Sequence, residues 1–385
     1  LDWILGQMRA DGLEQVRGEP VTVTRWVRGN ESVEVTAPWV ERLPMLGLGG
    51  SVGTPPEGIT APVLVVTNFA ELSARAGEAR GKIVVFNPPF TRYGETVRYR
   101  SQGAAEAARA GAVAALLRSV ADFGLRTPHT GAMGYPGGVE RIPIAALAAE
   151  DAARLQRWQE RGVTPVVRLR MEARTAGEAV SRNILAEVRG RERPEEILVV
   201  GGHIDSWDVG RGALDDGGGC VAAWEALRLI RQCRLQPRRT IRCVLWTNEE
   251  NGLAGAQAYR EAHAAELDRH VLAIESDNGA LGPRGLGFTG SDRGLAWMLA
   301  VGGLLEPRLG AGRIFKGGVD ADTGPLLAAG VPVAGLRVEG ERYFWFHHTE
   351  ADTPERVDPG VLARCATLLA VTLFTVADVE TRLPR

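Results

Sequence analysis

Residues 197–230, "ILVVGGHIDSWDVGRGALDDGGGCVAAWEALRLI", open with an apolar run, continue through a loop rich in glycine and aspartate, and end in a helical pattern. The apolar run before a glycine pair predicts a buried strand, and the segment from residue 216 onward predicts a helix. A strand, a loop and a helix in this order are the repeating unit of an α/β fold. Acids this dense beside a buried strand are costly unless a cation neutralises them.

The same pattern recurs toward the C-terminus. Further strands are predicted at "NILAEVRG" (183–190), "RTIRCVLWTNEE" (239–250), "HVLAIESDNG" (270–279) and "VPVAGLRV" (331–338). Helices are predicted at "GAQAYREAHAAEL" (255–267) and over residues 359–378. Continuously apolar strands that alternate with helices predict a mostly parallel sheet with helices on both faces, a three-layer α/β/α sandwich.

Residues 39–172 have a different sequence pattern. Short apolar strands such as "APVLVVTNF" and "GKIVVFNPPF" flank an alanine-rich helix, and no cluster of acids and histidines is present. The chain of 385 residues exceeds one typical hydrophobic core, which favours two domains. We therefore expect residues 39–172 to form a small inserted α/β module, and residues 1–38 and 173–385 to form the main domain.

Composition limits the classes of function. The formal net charge is −2, which disfavours binding to nucleic acid or to an anionic membrane surface. No run of about 20 uncharged apolar residues predicts a membrane span, and residues 368–376 fit a buried C-terminal helix. The four cysteines lack CxxC spacing, so neither a disulfide framework nor a thiolate zinc site is expected. A start inside a helical pattern is expected for a trimmed mature form.

Acids and histidines follow the predicted strands where each strand ends. They are His203, Asp205, Glu249, Glu250, Glu275 and Asp277; loops add Asp215, Asp216, His347 and His348. Each pair alone has an ordinary explanation, such as a helix N-cap or a solvated helix start. Together they converge on one edge, because the carboxyl ends of parallel strands meet there. Histidine nitrogen and carboxylate oxygen without cysteine favour zinc, with manganese or cobalt as alternatives.

These motifs resemble the zinc peptidase family (M28 type) of bacterial aminopeptidases and glutamate carboxypeptidases. The resemblance is carried by "GGHIDSWDVGRGALDDGGG", "LWTNEENG", "ESDNG" and "FHHTEADT", and by "LGLGGSVGTPPEGITAPVLVVTNF" and "ARGKIVVFNPPF" in the inserted module. It implies a phosphorylase/hydrolase-like sandwich for residues 1–38 and 173–385. It also implies a protease-associated domain over residues 39–172, and a homodimer.

The resemblance also implies two zinc ions per chain and a ligand for each position. His203 and Asp277 would bind one zinc, Glu250 and His348 would bind the other, and Asp215 would bridge both. Two metal ions held roughly 3.5–4 Å apart are typical of two-metal hydrolases.

Further roles follow for neighbouring residues. Glu249 would be the general base that accepts a proton from the attacking water. Asp205 would accept the second imidazole N–H of His203 and fix its tautomer. Many relatives have a tyrosine as oxyanion donor at the position of His347, so His347 itself or Tyr343 would serve here.

Three smaller expectations complete the site. The family spacing of four residues between the ligand and an aspartate selects His348, with Asp352, over His347. Asp216 would start the helix after the loop. "VDADTGPLLAAGVP" (319–332) resembles a family segment that lines the substrate cleft, with Asp322 and Pro325 matching, although a helix N-cap explains Asp322 nearly as well.

The sequence therefore predicts a secreted or vesicular (lysosomal) zinc exopeptidase that hydrolyses dipeptides or short peptides with a free N-terminus. No arginine pair for a terminal carboxylate is identifiable. One alternative is a catalytically inactive receptor-like ectodomain, which the complete ligand set disfavours. Another is a single-zinc acyltransferase of the glutaminyl cyclase type, which Glu249, the bridging Asp215 and the inserted module disfavour.

Overall fold

The computed structural model describes residues 1–122, 124–278 and 280–385. The chain forms two compact units. The first unit comprises Leu1–Val23, Val180–Tyr343 and Ala351–Arg385, and the second comprises Thr24–Ala179 and Phe344–Glu350. The predicted inserted module, residues 39–172, falls inside the second unit. Residues 24–38 also lie there, because the strand over Glu31–Ala37 pairs with the strand over Val166–Met171.

The secondary structure alternates along the described chain. The strands are β1 (Glu14–Val27), β2 (Glu31–Ala37), β3 (Glu41–Leu43), β4 (Met45–Gly47), β5 (Ile59–Val66), β6 (Ile83–Phe86), β7 (Ala114–Arg118), β8 (Ile144–Leu147), β9 (Val166–Met171), β10 (Arg174–Val188), β11 (Arg193–His203), β12 (Arg239–Trp246), β13 (His270–Glu275), β14 (Pro283–Thr289), β15 (Arg313–Lys316) and β16 (Val333–Val338). The helices are α1 (Asp2–Ala10), α2 (Phe69–Ala74), α3 (Ala76–Ala79), α4 (Tyr93–Thr96), α5 (Arg98–Arg109), α6 (Ala149–Glu160), α7 (Gly218–Gln232), α8 (Ala254–Ala262), α9 (Asp292–Leu309), α10 (Gly324–Ala328), α11 (Tyr343–Phe346) and α12 (Pro359–Asp378).

The sheet of the first unit has the strand order β1-β10-β12-β11-β13-β16-β14-β15. Its centre, β12-β11-β13-β16, is parallel, whereas β10 and β14 join that centre antiparallel. Parallel strands must be covered on both faces, which explains their continuously apolar sequences. The α/β class predicted from the sequence is confirmed.

Side chains of the central strand divide between two cores. Leu198 and Val200 face the layer of α1, α7, α9 and α12, whereas Ile197 and Val199 face the layer of α8 and α10. This alternation is the two-residue period of a strand. The first unit therefore has the three layers expected of an α/β/α sandwich. The elements β14, β15 and α9 were not predicted.

Helix α12 begins at the limit predicted from the sequence. Asp358 caps it by accepting a hydrogen bond from the backbone N–H of Val361 at 2.9 Å, and Pro359 occupies its first turn. By length and mean hydropathy (1.8) it could cross a membrane, yet half of that window is buried against α7, α9, β12 and β14. One such helix is weak evidence for a span, because the core helix of a globular domain has the same composition.

The second unit is built on another mixed sheet, with the order β3-β2-β9-β5-β6-β7-β8-β4. Its parallel centre β5-β6-β7-β8 is flanked by antiparallel neighbours. Apolar side chains form a core on each face of this sheet. A small α/β module of this kind agrees with the texture of its sequence.

Candidate metal centre

His203 is the last residue of β11, at the carboxyl edge of the first-unit sheet. Its backbone is fixed from two sides. The N–H donates to Oδ2 of Asp216 at 3.1 Å, and the carbonyl accepts from Sγ of Cys220 at 3.1 Å. A Cβ on Gly202 would lie 2.1 Å from Oδ2 of Asp216, so only glycine fits before this histidine.

The loop after β11 returns to the sheet at the start of α7. Oδ1 of Asp216 accepts from the N–H of Gly219 at 3.2 Å, so Asp216 binds the first turn of α7, although the helix starts two residues later, at Gly218. Asp352 accepts from the N–H groups of Leu214 and Asp215 at 2.7 and 3.1 Å. These contacts fix the backbone of Asp215 beside His203.

Three strand ends meet at the side chain of His203. Its Nε2 lies 3.1 Å from Oδ1 of Asp215 and 3.3 Å from Oδ1 of Asp277. His203 also has ligand atoms within 4.8 Å of Glu249 and Glu250, which follow β12. The structure therefore brings together four of the five predicted metal ligands and the predicted base.

Asp205 requires a correction. Its backbone carbonyl, at 3.0 Å, is the partner of Nδ1 of His203, whereas its carboxylate lies 3.8 Å from that nitrogen. The carboxylate accepts from the backbone N–H groups of Glu249 and Glu250 at 3.0 and 3.3 Å. The turn after β12 offers two N–H groups in a row, so it captures the carboxylate that the sequence had assigned to the imidazole.

Burial and mutual repulsion shift the pKa values of these acids upward. Burial, with repulsion from Asp277 and Glu250, raises the pKa of Glu249 to about 9. Burial and the charges of Asp277 and Asp215 raise the pKa of Asp216 well above its usual range. Burial alone would lower the pKa of His203, but hydrogen bonds to Asp215 and Asp277 raise it well above the usual value. A bound cation would stabilise the ionised forms of these acids.

A further set of acids lies beside this cluster. Glu275, at the end of β13, accepts from the N–H groups of Asp322 and Thr323 at 3.3 and 3.0 Å. The alternative explanation of Asp322 as a helix N-cap does not hold, because Thr323 is the residue that precedes α10 and no side-chain cap is formed there. The likeness of this segment to one that lines the substrate cleft stays a prediction. Burial and repulsion from Asp277 raise the pKa of Asp320 to about 7.

His347 and His348 belong to the second unit. Their rings stack with centroids 3.5 Å apart. Nδ1 of His348 contacts Nη1 of Arg100 at 3.3 Å and the carbonyl of Thr130 at 3.2 Å, and the carbonyl of His347 contacts Nδ1 of His129 at 2.7 Å. The sequence did not identify Arg100, Thr130 or His129 as partners, because more than 200 residues separate them from the histidines.

The donor set of the first unit fits a divalent cation of the zinc type. One imidazole nitrogen and several carboxylate oxygens converge within bonding reach of a shared ion, and no thiolate is among them. A divalent cation would take the place of the proton on His203 and would relieve the repulsion between the acids.

Comparison with known proteins decides the family. The model of "Peptidase family M28" matches residues 183–373. Carboxypeptidase Q of Rattus norvegicus is 50% identical over 378 residues, which cover 98% of this chain and 80% of that protein. The chain belongs to peptidase family M28. Carboxypeptidase Q of Homo sapiens is similar to this M28 peptidase at 47% identity over the same shares of both chains.

Solved structures agree with this assignment. A peptidase M28 precursor from Shewanella amazonensis has a TM-score of 0.95 at 35% identity, covering 100% of this chain and 88% of that one. A zinc aminopeptidase from Bacillus subtilis has a TM-score of 0.72 at 20% identity, with 99% and 89% covered, and shows the shared fold. The enzyme class predicted from the sequence, a zinc exopeptidase of family M28, is confirmed.

Proposed function

We propose that this M28 peptidase is a dinuclear zinc exopeptidase that hydrolyses dipeptides or short peptides with a free N-terminus. The observation that carries the proposal is the convergence of Asp215, Asp277, Glu249 and Glu250 on one buried imidazole, that of His203. Two divalent cations would stabilise the ionised forms of these carboxylates, whose mutual repulsion contributes to the raised pKa of Glu249.

The proposed ligands are those of the sequence motifs. His203 and Asp277 would hold one zinc, Glu250 and His348 would hold the other, and Asp215 would serve both. The metal would supply Lewis-acid chemistry: polarisation of the scissile carbonyl and a lowered pKa of water, so that hydroxide is available at neutral pH. The assignment of His348 as a zinc ligand rests on its sequence motif alone.

The chain's own residues move the proton. The backbone N–H of Glu249 donates to Oδ1 of Asp205 at 3.0 Å, which fixes the position of Glu249 beside the proposed ligands. With the cations present it accepts a proton from water and delivers it to the leaving amine. The carboxylate of Asp205 also accepts from the backbone N–H of Glu250. It therefore fixes the spacing between Glu249, the proposed base, and Glu250, a proposed zinc ligand.

Tyr343 is the oxyanion donor in this proposal. It is buried in the first unit, and burial, with the charges of Asp215 and Asp277, raises the pKa of its hydroxyl well above the usual range. A phenol that stays protonated beside these acids can donate a hydrogen bond to the developing oxyanion. The role of His347 stays a prediction from its position in the motif.

Glu249→Gln, compared with the exposed Glu261→Gln, tests the proposal. We expect Glu249→Gln to keep its zinc but to lose about 10²- to 10⁴-fold in kcat on unblocked dipeptides, whereas Glu261→Gln stays at the native rate. Hydrolysis of unblocked and C-blocked dipeptides but not of N-blocked ones supports the requirement for a free amine. Full activity of Glu249→Gln, or equal hydrolysis of N-blocked dipeptides, contradicts it.

We further propose, from the resemblance, that the second unit is a protease-associated domain and that the enzyme works as a homodimer outside the cytoplasm, in a secreted or vesicular setting. Light scattering of the purified chain tests the dimer. A single mass of one chain at micromolar concentration contradicts that part of the proposal.

A further inference from the structure

The loop that carries both glutamates is held in an unfavourable backbone conformation. It runs from Thr247, after β12, to Gly255, in the first turn of α8. Asn248 and Leu253, on either side of the glutamates, have φ values of 68° and 62°. Residues with a Cβ rarely adopt this left-handed region, and they persist there only where surrounding contacts impose it. Some part of the fold must therefore hold this loop.

The side chain of Asn183 closes the two ends of the loop. Asn183 lies on β10 and is 1% exposed. Its Oδ1 accepts from the N–H of Thr247 at 3.0 Å, and its Nδ2 donates to the carbonyl of Gly255 at 2.8 Å. The N–H of Gly255 donates in turn to the carbonyl of Thr247 at 2.9 Å. These three hydrogen bonds form a closed ring through one side-chain amide and two backbone positions.

The glycine at the end of the loop is part of the same arrangement. A Cβ on Gly255 would lie 2.3 Å from the carbonyl oxygen of Thr247 and 2.5 Å from Oδ1 of Asn183. Only glycine lets the two loop ends approach the amide this closely. An asparagine is required as well, because its planar amide carries one acceptor and one donor side by side.

Asn183 and Asp205 divide the task of holding the loop. Asp205 binds the N–H groups of the two glutamates in the middle, and Asn183 binds both ends. In the described contacts the two oxygens of Asp205 accept from the middle of the loop, at Glu249 and Glu250, and not from its ends. Loss of the ring would let the left-handed residues relax, and the carboxylates between them would move with the backbone.

We propose that Asn183 is a positioning residue of the peptidase reaction: its amide fixes the ends of the 247–255 loop and thereby sets where Glu249 and Glu250 point. The inference rests on the proposed function, because it assumes that Glu249 is the base and Glu250 a zinc ligand. It adds a residue that touches neither substrate nor metal.

Two variants and one matched control test this role in the full chain. Asn183→Ala removes the ring, and Asn183→Asp keeps the acceptor for Thr247 but sets an oxygen against the carbonyl of Gly255. Ser181→Ala is the control: it lies on the same strand and removes only the contact of its Oγ with Oγ1 of Thr247, at 2.8 Å. We expect both Asn183 variants to lose about tenfold or more in kcat and in zinc affinity, with KM changed by less than about threefold. Ser181→Ala should stay near the native values.

Hydrogen exchange of the metal-free chain gives a readout that activity does not supply. We expect the amides of residues 247–255 to exchange faster in both Asn183 variants, whereas amides of β11 and β13 keep the native rates. Ser181→Ala should show the native pattern throughout. Asn183→Asp is isosteric, so the test still applies if Asn183→Ala does not fold.

Native kcat, zinc affinity and loop exchange in Asn183→Asp would overturn the proposal, and so would equal losses in Ser181→Ala. A failure of the proposed function looks different. If the zinc-loaded native chain hydrolyses no dipeptide, or if Glu249→Gln is fully active, the assigned roles of the glutamates fail. The exchange rates of the metal-free chain still decide whether Asn183 fixes the loop.

Discussion

The first-unit sheet carries two clusters of charged residues, and the pKa values of their acids shift in opposite directions. The strand-end cluster follows the carboxyl ends of the parallel strands and contains His203, Asp215, Glu249, Glu250 and Asp277. The second cluster, the strand-start network, includes Glu266, which precedes β13, together with Glu19, Glu187, Arg242 and His263. Both clusters remove carboxylates at least partly from water.

In the strand-start network, arginine and histidine side chains pair with the carboxylates. Nε of Arg242 donates to Glu187 at 2.7 Å, and its Nη1 donates to Glu266 at 2.7 Å. The two ring nitrogens of His263 face Glu266 at 2.7 Å and Glu19 at 3.0 Å. Hydrogen bonds to His263 and Arg242 lower the pKa of Glu266 to about 2, despite partial burial. A protonated His263 and one guanidinium thus bind these three carboxylates, and Arg17 adds a second guanidinium beside Glu19.

The strand-end cluster shows the opposite response. Burial and neighbouring acids raise the pKa of Glu249 within this cluster and of Asp216 and Asp322 beside it, so each of these carboxyls resists ionisation in the metal-free chain. The comparison teaches that buried acids alone do not identify a metal site. The informative feature is a group of acids whose pKa values are raised, because a bound cation would stabilise their ionised forms.

The largest effect is expected from breaking the strand-start network. Arg242→Met should lower the free energy of unfolding of the metal-free chain by about 3 kcal/mol, because it leaves the buried Glu187 without its guanidinium and removes one of the partners of the half-buried Glu266. Arg260→Met, on the exposed surface of α8, is the control and should change it by less than about 0.5 kcal/mol. Denaturant unfolding measures both. Equal stability of Arg242→Met and the control would show that the network is not a stabilising unit.

Removing a negative charge from the strand-end cluster should raise the stability of the metal-free chain rather than lower it. Asp277→Asn should raise the stability of the metal-free chain by about 1 kcal/mol, because the charge of Asp277 contributes to the raised pKa values of Asp216 and Glu249. The same variant should lose affinity for zinc. Asp292→Asn, on an exposed helix start, should change neither property. Destabilisation of the metal-free Asp277→Asn chain would contradict the repulsion between these acids.

The smallest effect concerns pH and the strand-start network. Glu19 and Glu266 raise the pKa of His263 against the effect of burial, and Arg242 and Tyr259 pack beside it. A raised folded pKa adds stability that is complete below the usual value of about 6.5 and is lost as the pH rises through the folded pKa. His263→Gln should therefore destabilise the metal-free chain by about 1 kcal/mol near pH 6 and by less near pH 9. A constant difference across this range would contradict the role of the charged imidazole.

Much of this sheet and of the strand-end cluster was predictable from sequence. Apolar runs fix the central strands, and parallel strands deliver His203, Glu249 and Asp277 to one edge because their carboxyl ends coincide. The glycine-rich stretch before α7 also predicts the loop that leads from β11 back to the sheet. These ligands can be predicted from the order and direction of the strands, without knowing which distant side chains are in contact.

Contacts between distant segments were not predictable in the same way. Asn183 precedes an apolar run, so the sequence predicts only the start of a strand there. Its hydrogen-bond partners lie 64 and 72 residues further along the chain. The carboxylate of Asp205 could reach either an imidazole or two backbone amides, and only the path of the 247–255 loop decides between them. Glycine-rich β14 and the uncharged stretch of α9 lack the periodicity that marks the other elements.

The zinc content of the purified chain tests the strand-end cluster most directly. The chain is stripped of metal, reconstituted with zinc and analysed by native mass spectrometry together with elemental analysis. Two zinc ions per chain, with dipeptide hydrolysis lost on stripping and restored on their return, is the expected result. One zinc per chain at full activity, or full activity in the stripped chain, would contradict the assignment of these acids to two cations.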